Sequence, residues 1–375
     1  MGHGAGGYIG AMESIVIHRP GGHGRLTVEQ APDPTPGPGE VLVATRAIGV
    51  NYADCIVRMG LYASAKEYVG WPITPGFEFS GEVLAVGAGG QPAAAGEYMP
   101  AVGELVVGLT RFGAYASRVV VPRTNLFPIP TGLTALEAAA LPVNFLTAWY
   151  ALEELAPVEE GDRVLVHSAA GGVGSMALQV ARARGARVAA VVGSSHKVAA
   201  ARELGAELVI DKSTEMLWPA AAQWVRADSG EGSAEQGAAA GFDVILDANG
   251  TETLRPGYGH LAPEGRLVTY GFASLFPRGA ARPNPLRLAW GWLRRPRFDP
   301  LDLINANKSV MGFNLSYLFN RQAALARALG RMDELLGNGQ LRPPTITPYP
   351  LGEVARAHRD LESGTTIGKL VLVPE

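Results

Sequence analysis

Cysteine is almost missing from this chain: Cys55 is the only one in 375 residues. One thiol cannot close an intramolecular disulfide, which excludes a stapled extracellular scaffold. It cannot furnish the cysteine set of a structural zinc lobe either. Charge is sparse as well. Asp, Glu, Lys and Arg make 18% of the residues, against about 25% in an ordinary globular chain. The 32 basic and 35 acidic side chains nearly cancel, leaving a net charge of −3 and no general attraction to nucleic acid. No apolar run reaches the ~18 residues that a membrane-spanning helix needs. Residues 1–12 read as a loose, glycine-rich leader without the basic start and apolar core of a secretory signal, so the expected address is the cytoplasm.

Apolar residues, by contrast, make 47% of the chain, and 48 glycines and 27 prolines punctuate it. That is too apolar for disorder, and long enough for two lobes with large cores. The first third reads as short strands broken by Gly and Pro: residues 14–18, 41–46, 79–86, 104–109 and 115–121. The proline-rich stretch 32–38 can be neither helix nor central strand. From about residue 133 the pattern changes. Thr134-Ala135-Leu136-Glu137 is a capping box opening a helix, and residues 145–155 form a second, apolar helix. Strands then alternate with helices: strands at 163–167, 187–192, 207–210, 242–247, 266–270 and 309–315, with helices at 173–184, 196–204, 214–226 and near 251–261. Such alternation implies right-handed crossovers and a parallel sheet. A helix over 321–337 and a strand over 369–373 close the chain.

After the first strand of that alternation comes Ala169-Ala170-Gly171-Gly172-Val173-Gly174. Against the G-x-G-x-x-G pattern, alanine replaces the first glycine. Gly171 still lets backbone approach a pyrophosphate, and Gly174 still lets the helix pack closely on the strand. The helix start offers free N–H groups and the positive end of its dipole. Strand before, helix after and a further strand supply the context that a dinucleotide site requires. The next strand ends in Val192-Gly193-Ser194-Ser195-His196-Lys197, with no acid until Glu203. An acid there would bind the ribose hydroxyls of NAD. Ser194, Ser195 and Lys197 instead suit a 2′-phosphate, which points to NADPH.

The whole chain resembles the medium-chain dehydrogenase/reductase superfamily, in particular its zinc-free quinone oxidoreductase branch with the vesicle-protein homologues of that branch. Four segments carry the likeness: Gly49-Val50-Asn51-Tyr52-Ala53-Asp54 with Gly60-Leu61-Tyr62; Pro75-Gly76-Phe77-Glu78-Phe79-Ser80-Gly81; Leu141-Pro142-Val143-Asn144-Phe145-Leu146-Thr147; and His167-Ser168 leading into the glycine turn. The resemblance implies a Rossmann doubly wound parallel sheet plus a β-rich GroES-like barrel domain. It divides the chain into a catalytic domain of residues 13–144 and 312–375 and a dinucleotide domain of 145–311. Zinc-dependent relatives place ligands at the positions of Asn51, Phe77 and Val143, and a proton-relaying hydroxyl at that of Ala53, so no metal is expected. The resemblance also places Asn51 and Thr147 beside the nicotinamide, Tyr270, Gly271, Phe313 and Asn314 at its carboxamide, and Lys212 near the adenosine phosphate. Ala170, Gly171, Gly172, Val173 and Gly174 form the phosphate cradle, and Asn249 shares the rim beyond the strand ends.

Candidate catalytic residues are Asn51, Tyr52, Asp54 and Tyr62. Asp54 is equally readable as a helix cap, and both tyrosines as cleft packing. The expected reaction is hydride transfer from NADPH to a quinone or enone. An enoyl thioester is the nearest alternative acceptor, as in the enoyl reductases of polyketide synthases, and an NADPH-binding, membrane-associated protein with little turnover is a third. Residues 276–300, with two tryptophans and six arginines before Asp299, read as a lid or packing segment in preference to a membrane-surface patch. A homodimer through the strand at 309–315 would hide its edge.

Overall fold

The computed structural model describes residues 11–89, 98–228, 240–275 and 285–375. Its middle is a six-stranded parallel sheet in the order Leu208–Asp211, Arg187–Val192, Arg163–Val166, Phe242–Asp247, Leu261–Thr269, Ser309–Gly312. The first four of these strands are buried on both faces, which is why they read as apolar Val, Ile, Leu and Ala runs, whereas Ser309–Gly312 has no fully buried residue. Strand order reverses between Arg163–Val166 and Phe242–Asp247. A doubly wound sheet opens its ligand crevice at such a reversal, beyond the carboxyl ends of the strands.

The second sheet draws on both ends of the chain. Its order is Ile346–Pro350, Lys369–Val373, Glu40–Val50, Glu78–Val86, Leu105–Leu109, Leu126–Pro128, with Arg118–Pro122 also paired to Glu40–Val50. The long Glu40–Val50 strand is its hub. A separate hairpin joins Ala11–Val16 to Thr27–Pro32. One core cluster runs through both sheets, from Phe79 and Val106 through Leu141 and Phe145 to Val164 and Leu178. Among the described residues no helix is long and apolar enough to cross a membrane.

Several elements differ from the sequence reading. Ala11 and Met12 are strand and not leader; residues 1–10 lie outside the described residues. Thr27–Pro32 is an unanticipated strand that ends at the first residue of the proline-rich stretch. The capping box forms as read, with Glu137 N donating to Thr134 Oγ1 at 3.3 Å and Thr134 N to Glu137 Oε2 at 2.8 Å. The apolar helix starts earlier, as Pro142–Trp149, because proline suits a first helical position. It continues as a π-helical Tyr150–Leu155. The fifth parallel strand begins at Leu261, not 266, because a register shift absorbs Pro263-Glu264-Gly265, with Glu264 at φ 65°. Ser309–Gly312 is shorter than read and is the outermost strand of its sheet. Three helices near the cleft are absent from the sequence reading, Tyr52–Arg58, Ala63–Tyr68 and Val354–Ser363.

Residues 276–284 of the arginine-rich segment lie outside the described residues. Pro285–Leu293 is a helix on which Trp290 and Trp292 are 57% and 59% exposed. The guanidiniums of Arg294 and Arg295 lie over those indoles at 4.3 and 3.8 Å. Neither tryptophan lines the cleft. The expected lid is therefore not what the described part of this segment forms; its aromatic surface is solvent-facing.

Candidate active-site cleft

A cleft of about 1160 Å³ separates the two sheets. Every expected site residue lines it except Asp54, Ser194 and Ser195. One end is the glycine turn. Ser168 enters it at φ 54°, and Gly171 N donates back to Ser168 O at 2.9 Å. The three glycines serve different purposes. A Cβ on Gly174 would lie 2.4 Å from Ser168 O and 2.7 Å from Ala169 Cα, so helix Gly172–Ala183 could not seat on its strand. A Cβ on Gly172 would collide with the Asn144 amide at 2.7 Å. On Gly171 it would meet Ser168 O alone, at 3.3 Å, so that side of the backbone is open to a ligand. An open glycine face, a helix start and a crevice beyond the strand ends fit a dinucleotide pyrophosphate.

Beside this turn, Lys197 donates from Nζ to Gly364 O at 2.6 Å and is largely buried. Lys212 also lines the cleft. The structure adds an acid that the local sequence hides. Asp211 ends the neighbouring strand and accepts from Ser195 Oγ at 2.5 Å and from Ser213 N and Oγ at 2.9 and 2.6 Å. Hydrogen bonds from Ser195 and Ser213 hold its carboxyl below the usual range. Those donors tie the acid to its own loop.

The other end of the cleft is set by the Glu40–Val50 and Lys369–Val373 pairing. Leu370 lies opposite Val50, which brings Lys369 beside Asn51. Lys369 Nζ donates to Asn51 Oδ1 and Glu78 Oε1, both at 2.6 Å. Asn51 Nδ2 donates to Glu78 Oε1 at 2.9 Å, and Val143 N to Glu78 Oε2 at 2.8 Å. Thr147 Oγ1 donates one turn back to Val143 O at 2.6 Å. Sequence reasoning missed Glu78 and Lys369 as site residues. Both lie in stretches that carry the family resemblance, residues 75–81 and 368–372, where they read as signature and not as site residues.

Asp54 turns out to support the site from behind. It is fully buried at the third position of helix Tyr52–Arg58. It accepts from Asn51 N at 2.8 Å, Gly76 N at 2.9 Å and Tyr115 Oη at 3.0 Å. Burial raises its carboxyl pKa to about 7 against those bonds. The N-cap of that helix is Asn51, so Asp54 is not the N-cap that its sequence context offered but completes the capping box from the third position. Tyr62 donates from Oη to Asn314 Oδ1 at 2.8 Å, and burial raises its phenol. It forms an aromatic wall with Phe77 and Phe112 through edge contacts.

The donor set does not suit a catalytic metal. Phe77 and Val143 have no side-chain donor, and Asn51 Oδ1 already takes the Lys369 ammonium. One other close group exists among the described residues: Cys55, His358 and Glu362, with ligand atoms within 4.8 Å of one another. There Arg58 takes one oxygen of Glu362, and His23 Nε2 lies 2.8 Å from the other. Burial also raises the Cys55 thiol well above its ordinary range. A buried guanidinium in the same pocket opposes a further cation.

With this geometry in hand, the likenesses can be placed. Residues 37–131 match the alcohol dehydrogenase GroES-like domain and residues 172–331 the family described as zinc-binding dehydrogenase. The chain is 33% identical to the human synaptic vesicle membrane protein VAT-1 homolog across 97% of its own length and 86% of that protein's. A mycobacterial protein solved in complex with NADPH is 30% identical with a TM-score of 0.79, over 97% of this chain and all 100% of that one. A quinone oxidoreductase of Pseudomonas syringae pv. Tomato DC3000 is 29% identical with a TM-score of 0.78, over 97% and 100%. Glycine turn, parallel sheet, GroES-like lobe and whole-length identity agree: the chain belongs to the medium-chain dehydrogenase/reductase superfamily, in its quinone oxidoreductase-like branch.

Proposed function

We propose that this protein is a zinc-independent, NADPH-dependent oxidoreductase whose acceptor is a quinone or an α,β-unsaturated carbonyl. The observation that carries the reading is the cleft itself: a dinucleotide cradle at one end, and at the other an amide held by an ammonium and a carboxylate where a metal ligand would have to be. NADPH, when bound, supplies the hydride. Gly171 and the start of helix Gly172–Ala183 receive the pyrophosphate, while Lys197 and Lys212 favour a 2′-phosphate. Asn51 and Thr147 flank the nicotinamide, and Tyr270, Gly271, Phe313 and Asn314 hold its carboxamide side. Tyr62 and Phe77, backed by Phe112, wall the acceptor and exclude water, so reactants are held face to face. Such a wall polarises a carbonyl weakly, which favours acceptors that are electrophilic already. The balancing proton comes from water or a nearby tyrosine hydroxyl.

We divide the chain functionally as residues 13–144 with 312–375 around 145–311, and infer a homodimer in which the open Ser309–Gly312 edge is covered by its two-fold copy. The test is a turnover screen of quinones, enones and enoyl thioesters, with NADPH and NADH in parallel and with zinc or a chelator added. Quinone or enone turnover with NADPH, indifferent to the chelator, is expected. Turnover that requires zinc would sink the reading.

A further inference from the structure

The Lys369–Val373 strand closes the chain, and its first residue is a buried lysine that lines the cleft. An ammonium has three N–H bonds. Around Lys369 Nζ stand three side-chain oxygens: Asn51 Oδ1 and Glu78 Oε1 at 2.6 Å and Asn144 Oδ1 at 3.4 Å. Glu78 is 0% and Lys369 2% exposed. We propose that Lys369 and Glu78 are a positioning dyad: they fix the Asn51 amide in one orientation and so set how the nicotinamide and its acceptor face each other. The proposal rests on the NADPH-dependent reading above.

The chemistry of the pair permits one arrangement. An ammonium can only donate and a carboxylate can only accept. Asn51 must therefore present Oδ1 to Lys369 and Nδ2 to Glu78, where it donates at 2.9 Å. The same carboxylate reaches the opposite wall. Its second oxygen accepts from Val143 N, and Val143 O in turn accepts from Thr147 Oγ1. Asn51 and Thr147 are thus indexed to one buried group. The dyad also touches the phosphate cradle. Asn144, its weakest partner, lies against Gly172, and Gly368 N, one residue before Lys369, donates to Ala170 O at 2.9 Å. One ion pair ties the two ends of the cofactor site together, over sequence separations of 225 to 318 residues.

The experiment compares wild type with Lys369→Met, Lys369→Arg and the double variant Glu78→Gln/Lys369→Met. Four quantities are read: NADPH affinity by fluorescence, kcat, the face of hydride transfer with C4-deuterated NADPH, and the circular dichroism of the bound nicotinamide band. Lys369→Met is expected to bind NADPH nearly as wild type does and to lose about 10²-fold in kcat, the cost of a misplacement on the order of 1 Å. Transfer from the normally unused face should rise, and the nicotinamide band should change. Lys369→Arg should recover part of the loss, since it keeps the charge but not the geometry.

Should Lys369→Met fail to fold, the double variant carries the test. It leaves no unpaired buried charge, and it is expected to fold with the same kcat and dichroism changes. A folded double variant with wild-type kcat, face selectivity and dichroism would overturn the dyad while leaving the NADPH reading intact. Wild type that fails to bind NADPH would overturn both. Wild type that binds NADPH but turns nothing over is still decided by the dichroism.

Discussion

Replacing Asp54 with asparagine should flatten one defined segment of the stability–pH curve. In the native state the carboxyl titrates at about 7, against 3.8 for the free group, because burial penalises its charge more than three hydrogen bonds and the Lys369 ammonium favour it. The folded value is raised, so the native state holds this proton more tightly than the unfolded chain does. Stability from the group is fully present below about 3.8 and is lost as pH rises toward 7; above that the loss is complete. The gap between 3.8 and about 7 corresponds to about 4 kcal/mol. Asp54→Asn removes this dependence. It also loses one acceptor among Asn51 N, Gly76 N and Tyr115 Oη, at a cost of about 1–3 kcal/mol that does not vary with pH. Other carboxylates titrate in the same window, so the informative quantity is wild type minus variant. Urea unfolding at successive pH values should show that difference falling by about 4 kcal/mol between pH ~4 and ~7, then levelling. Parallel curves would mean that the Asp54 charge is not penalised in the native state, and the account of its burial would be wrong.

Gly174→Ala should lower stability by about 1–3 kcal/mol through overpacking and weaken NADPH binding, because the new methyl lies 2.4 Å from Ser168 O. Thermal melts with and without NADPH check both effects. Arg58→Met leaves the buried Glu362 carboxylate with His23 as its remaining side-chain partner among the described residues, and should cost about 3–5 kcal/mol in urea unfolding. Arg58→Met/Glu362→Leu should recover much of that; a double variant no better than the single would refute the ion-pair account. Alanine at Lys197 or Lys212 should raise KM for NADPH much more than for NADH in steady-state assays. Light scattering should return twice the 39.3 kDa chain mass, and a monomer would remove the proposed use of the Ser309–Gly312 edge.

The features that sequence reading reached are those whose physics is local. The Thr134 capping box spans three residues and formed between the groups anticipated. Gly171 and Gly174 act within one turn of chain, and Arg187–Val192 and Phe242–Asp247 are apolar runs whose burial on both faces follows from a parallel sheet. What stayed hidden depends on register between distant strands. Asp211 lies beside Ser195 because Leu208–Asp211 runs parallel to Arg187–Val192, so a stretch that reads as lacking an acid gains one from its neighbour. Asp54 was readable as a cap, but its burial depends on Tyr115 and Gly76 arriving from elsewhere. Lys369 is the clearest case. A lysine opening a five-residue strand has no local reason to be buried, and its meaning comes from Leu370 pairing with Val50 and Glu78 arriving on the next strand. Desolvating such a pair is costly unless its donors and acceptors are matched, and here the partners are Asn51 and, on helix Pro142–Trp149, Val143 and Asn144. A group held by so many remote constraints can keep Asn51 fixed while a reaction proceeds beside it.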